Sequence, residues 1–116
     1  MNIQRLHVGH RLSEAAIFNK VIYLAGQIPE DVSQGITGQT REVLGHVDRL
    51  LAEAGSDKKH ILSCQIFLSD ISLINEMNQV WDVWVDPENS PPRATVEAKL
   101  ANPEWLIEIV VTAAQI

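Results

Sequence analysis

His60–Asp70, HILSCQIFLSD, lies between two stretches of longer period, and its reading decides the fold. Within it Leu62, Cys64, Ile66 and Leu68 alternate with Ser63, Gln65, Phe67 and Ser69, the two-residue period of a strand with one apolar face. On its N-terminal side, from Thr37 onward, Val43, Val47, Leu50, Leu51 and Ala54 recur at helical spacing, with Arg41, Glu42, Asp48, Arg49 and Glu53 turned the other way. Gly55 then supplies a left-handed stop. On the C-terminal side Asp70 and Ser72 are candidate caps for a second helix, whose stripe is Ile74, Met77, Trp81, Trp84 and Val85. Asp86-Pro87 and Pro91-Pro92 close it and impose extended backbone on the residues after them.

Outward from this centre the chain is strand-like at both ends. Residues 2–8 and 14–18 read as short strands, and in KVIYLAGQIP the run Val21–Leu24 stops at Gly26 and Pro29. Residues 30–36 have no apolar period and read as a loop. Near the C-terminus Arg93, Thr95, Glu97 and Lys99 alternate with Ala94, Val96, Ala98 and Leu100; further on, Leu106, Glu108, Val110 and Thr112 alternate with Ile107, Ile109, Val111 and Ala113. The intervening Ala101–Trp105, ANPEW, predicts an antiparallel hairpin. The order β-β-β-α-β-α-β-β predicts one α+β domain over residues 1–116, two-layered, a mixed β-sheet with two helices packed on one face.

Two helices cover only one face of such a sheet. On the other, alternation places Leu106, Val110 and Thr112 beside Arg93, Thr95 and Glu108. That mixture is too apolar for open water and too charged for a plain core. It predicts a subunit interface containing a polar cleft, in a closed homo-oligomer.

Composition excludes several classes. Across 116 residues, 46% hydrophobic and 21% charged is ordinary globular usage. A net charge of -6 argues against a sequence-independent grip on phosphate backbones, so nucleic acid is not expected as a main partner. A single cysteine, Cys64, and the absence of a charged then apolar leader predict a reducing, cytoplasmic setting, and no apolar run is long enough to span a membrane. The four histidines, 7, 10, 46 and 60, lack metal-ligand spacing, so no metal site is expected, and Cys64 reads as an inert core residue.

Three polar residues carry possible chemistry. Arg93, held by the Pro-Pro lead-in, is either a bidentate clamp for a carboxylate or phosphate or a partner of Glu97, Glu108 or a neighbouring chain's acid. Glu108, inside a β-branched strand, is either a carboxylate orienting water in a cleft or an exposed strand position. Asn78, one residue off the helix stripe, shapes a polar pocket or lies at the surface.

With Gly26-Gln27-Ile28-Pro29, Asn78, Arg93-Ala94-Thr95-Val96-Glu97 and Ile107-Glu108-Ile109 together, the chain resembles the RidA/YjgF (reactive intermediate/imine deaminase) family over nearly its whole length. The resemblance implies a chorismate-mutase-like fold, a homotrimer with clefts between subunits, and no cofactor. It also implies hydrolysis of enamines and imines such as 2-aminoacrylate to 2-keto acids and ammonia. In that reading Arg93 holds the substrate carboxylate, Glu108 serves the attacking water and Asn78 lines the cleft. Three positions depart from the deaminating branch: Leu12 replaces a tyrosine, Ala25 a serine and Thr95 a cysteine, all of them pocket positions. These departures, and the RLSEA segment around Leu12, resemble divergent members and favour an alternative, a non-catalytic binder of small carboxylates or keto acids. A third reading, the ribonuclease or translation-inhibitor activity of some relatives, conflicts with the acidic charge.

Overall fold

The computed structural model describes residues 2–116. Six strands form one sheet: β1 (Gln4–Val8), β2 (Ser13–Phe18), β3 (Val21–Leu24), β4 (Ile61–Leu68), β5 (Arg93–Glu97) and β6 (Ile107–Ala114). Two helices, α1 (Ile36–Glu53) and α2 (Ile74–Trp84), complete the predicted α+β order. The sheet runs β1-β2-β3-β6-β4-β5, antiparallel except for the parallel β4–β5 pair, so it is mixed.

Burial explains the periods. Val43, Val47, Leu50 and Leu51 of α1 pack onto Ile22, Leu24, Ile66, Ile107, Ile109 and Val111 of the sheet, all essentially inaccessible. Each such side chain stabilises the fold by about 1.5–3 kcal/mol through removal from water. α1 ends as Gly55 predicts: at φ 84° it lets its own amide reach Ala52 O and the Ser56 amide reach Leu51 O, a Schellman closure. Asp70 does cap, accepting from the Ser72 amide at 2.9 Å, but at the short 3₁₀ turn Ile71–Leu73 that leads into α2. Ser72 is no cap, since its hydroxyl donates to Asp70.

Three expectations are corrected. β5 and β6 do not form a hairpin, because β4 lies between them: the Ala98 amide donates to Leu68 O on one side while the Ser69 amide donates to Leu106 O on the other. Leu62 leaves the apolar phase and is 49% exposed, because the β4–β6 register shifts between Ile61 and Ser63. Leu106 precedes β6 and packs against the core instead of the uncovered face.

That uncovered face carries Phe18, Tyr23, Phe67, Val96 and Val110 among Ser63, Gln65, Glu108 and Thr112. Tyr23 is 50% and Val96 41% exposed. This is a broad semi-apolar surface of the kind that meets another chain.

Candidate functional site

In the ladder β5 pairs with β4 so that Arg93 faces Cys64 and Thr95 faces Ile66. In-register partners share a face, and Cys64 and Ile66 are buried under the helices. Arg93 and Thr95 therefore project toward α2, not onto the uncovered face where alternation and the expected hairpin put them. The guanidinium carbon of Arg93 stands 4.9 Å from the centre of the Trp81 ring, a cation–π contact that holds the side chain without neutralising it. No ion pair among the described residues involves Arg93. Neither acid expected as a structural partner reaches it in an ion pair: Glu97 accepts from the Ile71 amide at 3.0 Å, and Glu108 lies on the opposite face.

Asn78 stands one turn before Trp81 on the same side of α2. Its Oδ1 and the Oγ1 of Thr95 are both buried with no hydrogen-bond partner among the described residues. Unsatisfied buried oxygens cost free energy unless something supplies a donor. Beside them, burial pushes the Cys64 thiol up to about 12 against the opposing pull of Arg93, which leaves it a protonated core group rather than a nucleophile.

Glu108 belongs to a second opening. It pairs across from Phe67, on the uncovered face, and lines a cavity of about 590 Å³ together with Leu12, Glu14, Ala25, Gly26 and Gln27. Gly26 is needed here for space and not for backbone freedom: a Cβ on it would stand 2.9 Å from Glu108 Cδ and closer still to Oε2. The buried Gln27 ties the wall together. Its amide donates to Ile109 O at 2.8 Å and its carbonyl accepts from the Ile109 amide at 3.1 Å; its side chain donates to Ala25 O at 2.9 Å and to Glu14 Oε2 at 3.3 Å. The carboxylate of Glu108 makes no ion pair among the described residues.

The far wall comes from α1 and the loop before β6. His46 lies 2.9 Å from Glu42 and 3.3 Å from Arg49 Nη2, so its ring bridges an acid and a guanidinium. Burial works to raise the Glu42 carboxyl, but the Glu30 and Asp31 amides and His46 outweigh it and hold it below its ordinary range. Trp105 closes this side, in a loop pinned by Gln39. Among the described residues no group of three or more His, Cys, Asp or Glu is placed to hold a metal ion.

The candidate residues thus fall into two sets within one chain. Leu12, Ala25 and Glu108 share the cavity, whereas Arg93 and Thr95 lie on the helix side of the sheet, where α2 carries Asn78 and the Trp81 that Arg93 contacts. A sequence model described as Endoribonuclease L-PSP matches residues 2–115. A RutC family protein of Haemophilus influenzae is 53% identical over 114 residues, covering 97% of this chain and 98% of its own. The RutC family protein YoaB of Escherichia coli is 38% identical over 114 residues, covering 98% and 99%. The crystal structure of NMB1025, a YjgF family member of Neisseria meningitidis, superposes with a TM-score of 0.95 at 46% identity, over 100% of this chain and 97% of its own. The chain belongs to the RidA/YjgF family.

In this RidA/YjgF chain the three positions that the resemblance marks as departures are divided between the halves: Leu12 and Ala25 line the Glu108 cavity, with Leu12 57% exposed, while Thr95 stands in the strand of Arg93. Glu14 carries no site signal in the sequence; Trp81 carries one only as part of a helix stripe, and Gly26 and Gln27 only through the Gly26-Gln27-Ile28-Pro29 motif.

Proposed function

We propose that this protein hydrolyses reactive enamines and imines of the 2-aminoacrylate type to 2-keto acids and ammonia, at clefts formed between protomers of a homotrimer. One observation carries the reading: a guanidinium and a carboxylate, each without an ion pair among the described residues, sit on opposite faces of one sheet, so a site using both needs two copies of the chain. The semi-apolar uncovered face gives such copies a surface to bury. We place the reaction in the cytoplasm, where the buried free thiol of Cys64 stays reduced. No helix among the described residues is long and apolar enough to cross a membrane.

The chemistry asks little of the protein, because an imine carbon is already electrophilic. Arg93 holds the substrate carboxylate in a bidentate pair and fixes the carbon's position. Asn78 Oδ1 and Thr95 Oγ1, buried without a partner among the described residues, lie on the Arg93 side of the sheet as polar surroundings of the clamp. The enamine first takes a proton from water on its β-carbon and becomes the iminium. Glu108 of the neighbouring protomer then takes a proton from water as the oxygen bonds to the iminium carbon, passes that proton to the nitrogen of the resulting carbinolamine, and takes the hydroxyl proton as the C–N bond breaks, so that the C=O bond forms and ammonia leaves. No cofactor enters.

The test is a coupled assay in which 2-aminoacrylate is generated and keto acid formation is followed with and without the protein. Faster keto acid release supports the reading, and an unchanged rate removes it. Binding of keto acids without turnover would instead support a carboxylate-binding role, which the apolar Leu12 and Ala25 favour. The endoribonuclease in the family description is disfavoured by the chain's charge of -6.

In the same assay Gly26→Ala is expected to lower kcat/KM by about 10- to 100-fold, because the new methyl displaces the Glu108 carboxylate from its place. The displaced atoms are the free end of a flexible side chain, so the melting temperature should move by only a few degrees. Full activity in Gly26→Ala would remove the requirement for Glu108 at that position.

A further inference from the structure

We propose that Glu14 sets the class of substrate: acids whose far end is a cation or an N–H donor, in preference to those ending in a second carboxylate. The reaction rests on the deaminase reading above, but the selectivity is a property of binding and is tested separately. Glu14 lies in β2 next to core-facing Ala15, so its side chain falls on the uncovered face with Glu108. Gln27 links the two: its backbone pairs with Ile109, beside Glu108, while its buried amide group donates to Glu14. Neither carboxylate takes part in an ion pair among the described residues.

The charges facing this cavity are unequal. Glu14, Glu30 and Glu108 line it against one guanidinium, Arg49. The lining histidines are each engaged by an acid of α1, His7 with Glu53 at 2.6 Å and His46 with Glu42 at 2.9 Å. Arg49 itself leans on the His46 ring. A ligand with its carboxylate on Arg93 of one protomer therefore directs its other end toward an acidic wall of the next. A bipolar site of this kind attracts a guanidinium or ammonium tail and repels a dicarboxylate. The water chemistry assigned to Glu108 has no use for a second carboxylate, which leaves recognition as the role of Glu14.

The experiment measures quenching of tryptophan fluorescence in the intact protein, since Trp105 lines the cavity and Trp81 contacts Arg93. The probes are 5-guanidino-2-oxopentanoate and 2-oxoglutarate. The first should bind at least about tenfold more tightly, and Glu14→Gln, which keeps the shape and an acceptor for Gln27, should reduce that ratio by about tenfold. Raising the salt concentration should shrink the wild-type ratio as well, which tests the electrostatic cause without any substitution. Equal affinities, no binding of either probe, or a ratio untouched by both Glu14→Gln and salt would overturn the assignment. Selective binding without 2-aminoacrylate turnover would remove only the hydrolytic reading; turnover without selectivity would remove only the role of Glu14.

Discussion

Arg93→Ala is expected to lower kcat/KM for 2-aminoacrylate by about 10³-fold while leaving the fold and the assembly intact. The guanidinium takes part in no ion pair among the described residues, so its loss strands no buried carboxylate. What the folded state loses is the contact with Trp81, worth about 0.5–2 kcal/mol. Arg93→Lys keeps the charge but not the planar fork, and should recover only part of the rate. Steady-state kinetics beside thermal denaturation separate the two effects. A rate loss that tracked a comparable loss of stability would assign Arg93 a structural role.

Gln39→Leu is expected to destabilise the fold by about 2–4 kcal/mol, a large effect for a single polar side chain. Gln39 is fully buried. Its Nε2 donates to Gln34 O at 3.1 Å and Glu104 O at 3.2 Å, and its Oε1 accepts from the Leu106 amide at 2.8 Å. One side chain thus satisfies three backbone groups and fastens the loop before β6 to α1. Leucine matches the volume but leaves all three groups unpaired in an apolar setting. Calorimetry should show a melting temperature lower by about 10 °C, and Trp105, next to Glu104, should become more mobile. A shift of only a degree or two would mean that water replaces the amide without loss.

Helices and strands were legible where one face meets the core. In α1 and β6 the hydrophobic effect writes periods of 3.6 and 2 into Val43–Leu51 and Ile107–Ala113, and both phases hold in the structure. Strand neighbours were not legible, because alternation says which way a side chain points along one strand and nothing about which strand lies alongside. Arg93 shows the consequence. Its alternation with Ala94 was right, yet its face was wrong, since that depends on the register with Cys64. The two halves of the candidate site were each readable as residue types, with Glu108 anomalous in its strand and Arg93 behind two prolines. Their separation across the sheet was not. Gln39 shows the same limit for packing, because a polar residue on a helix reads as solvent-facing until a loop distant in sequence arrives above it.

Complementation between two inactive variants tests the two-chain site most directly. Arg93→Ala and Glu108→Ala should each be inactive alone. If the site takes its guanidinium from one protomer and its carboxylate from the next, co-assembling equal amounts should restore about a quarter of wild-type activity, because that share of interfaces pairs two intact halves. Mixed assemblies, verified by mass spectrometry, that show no activity above the separate variants would contradict the account.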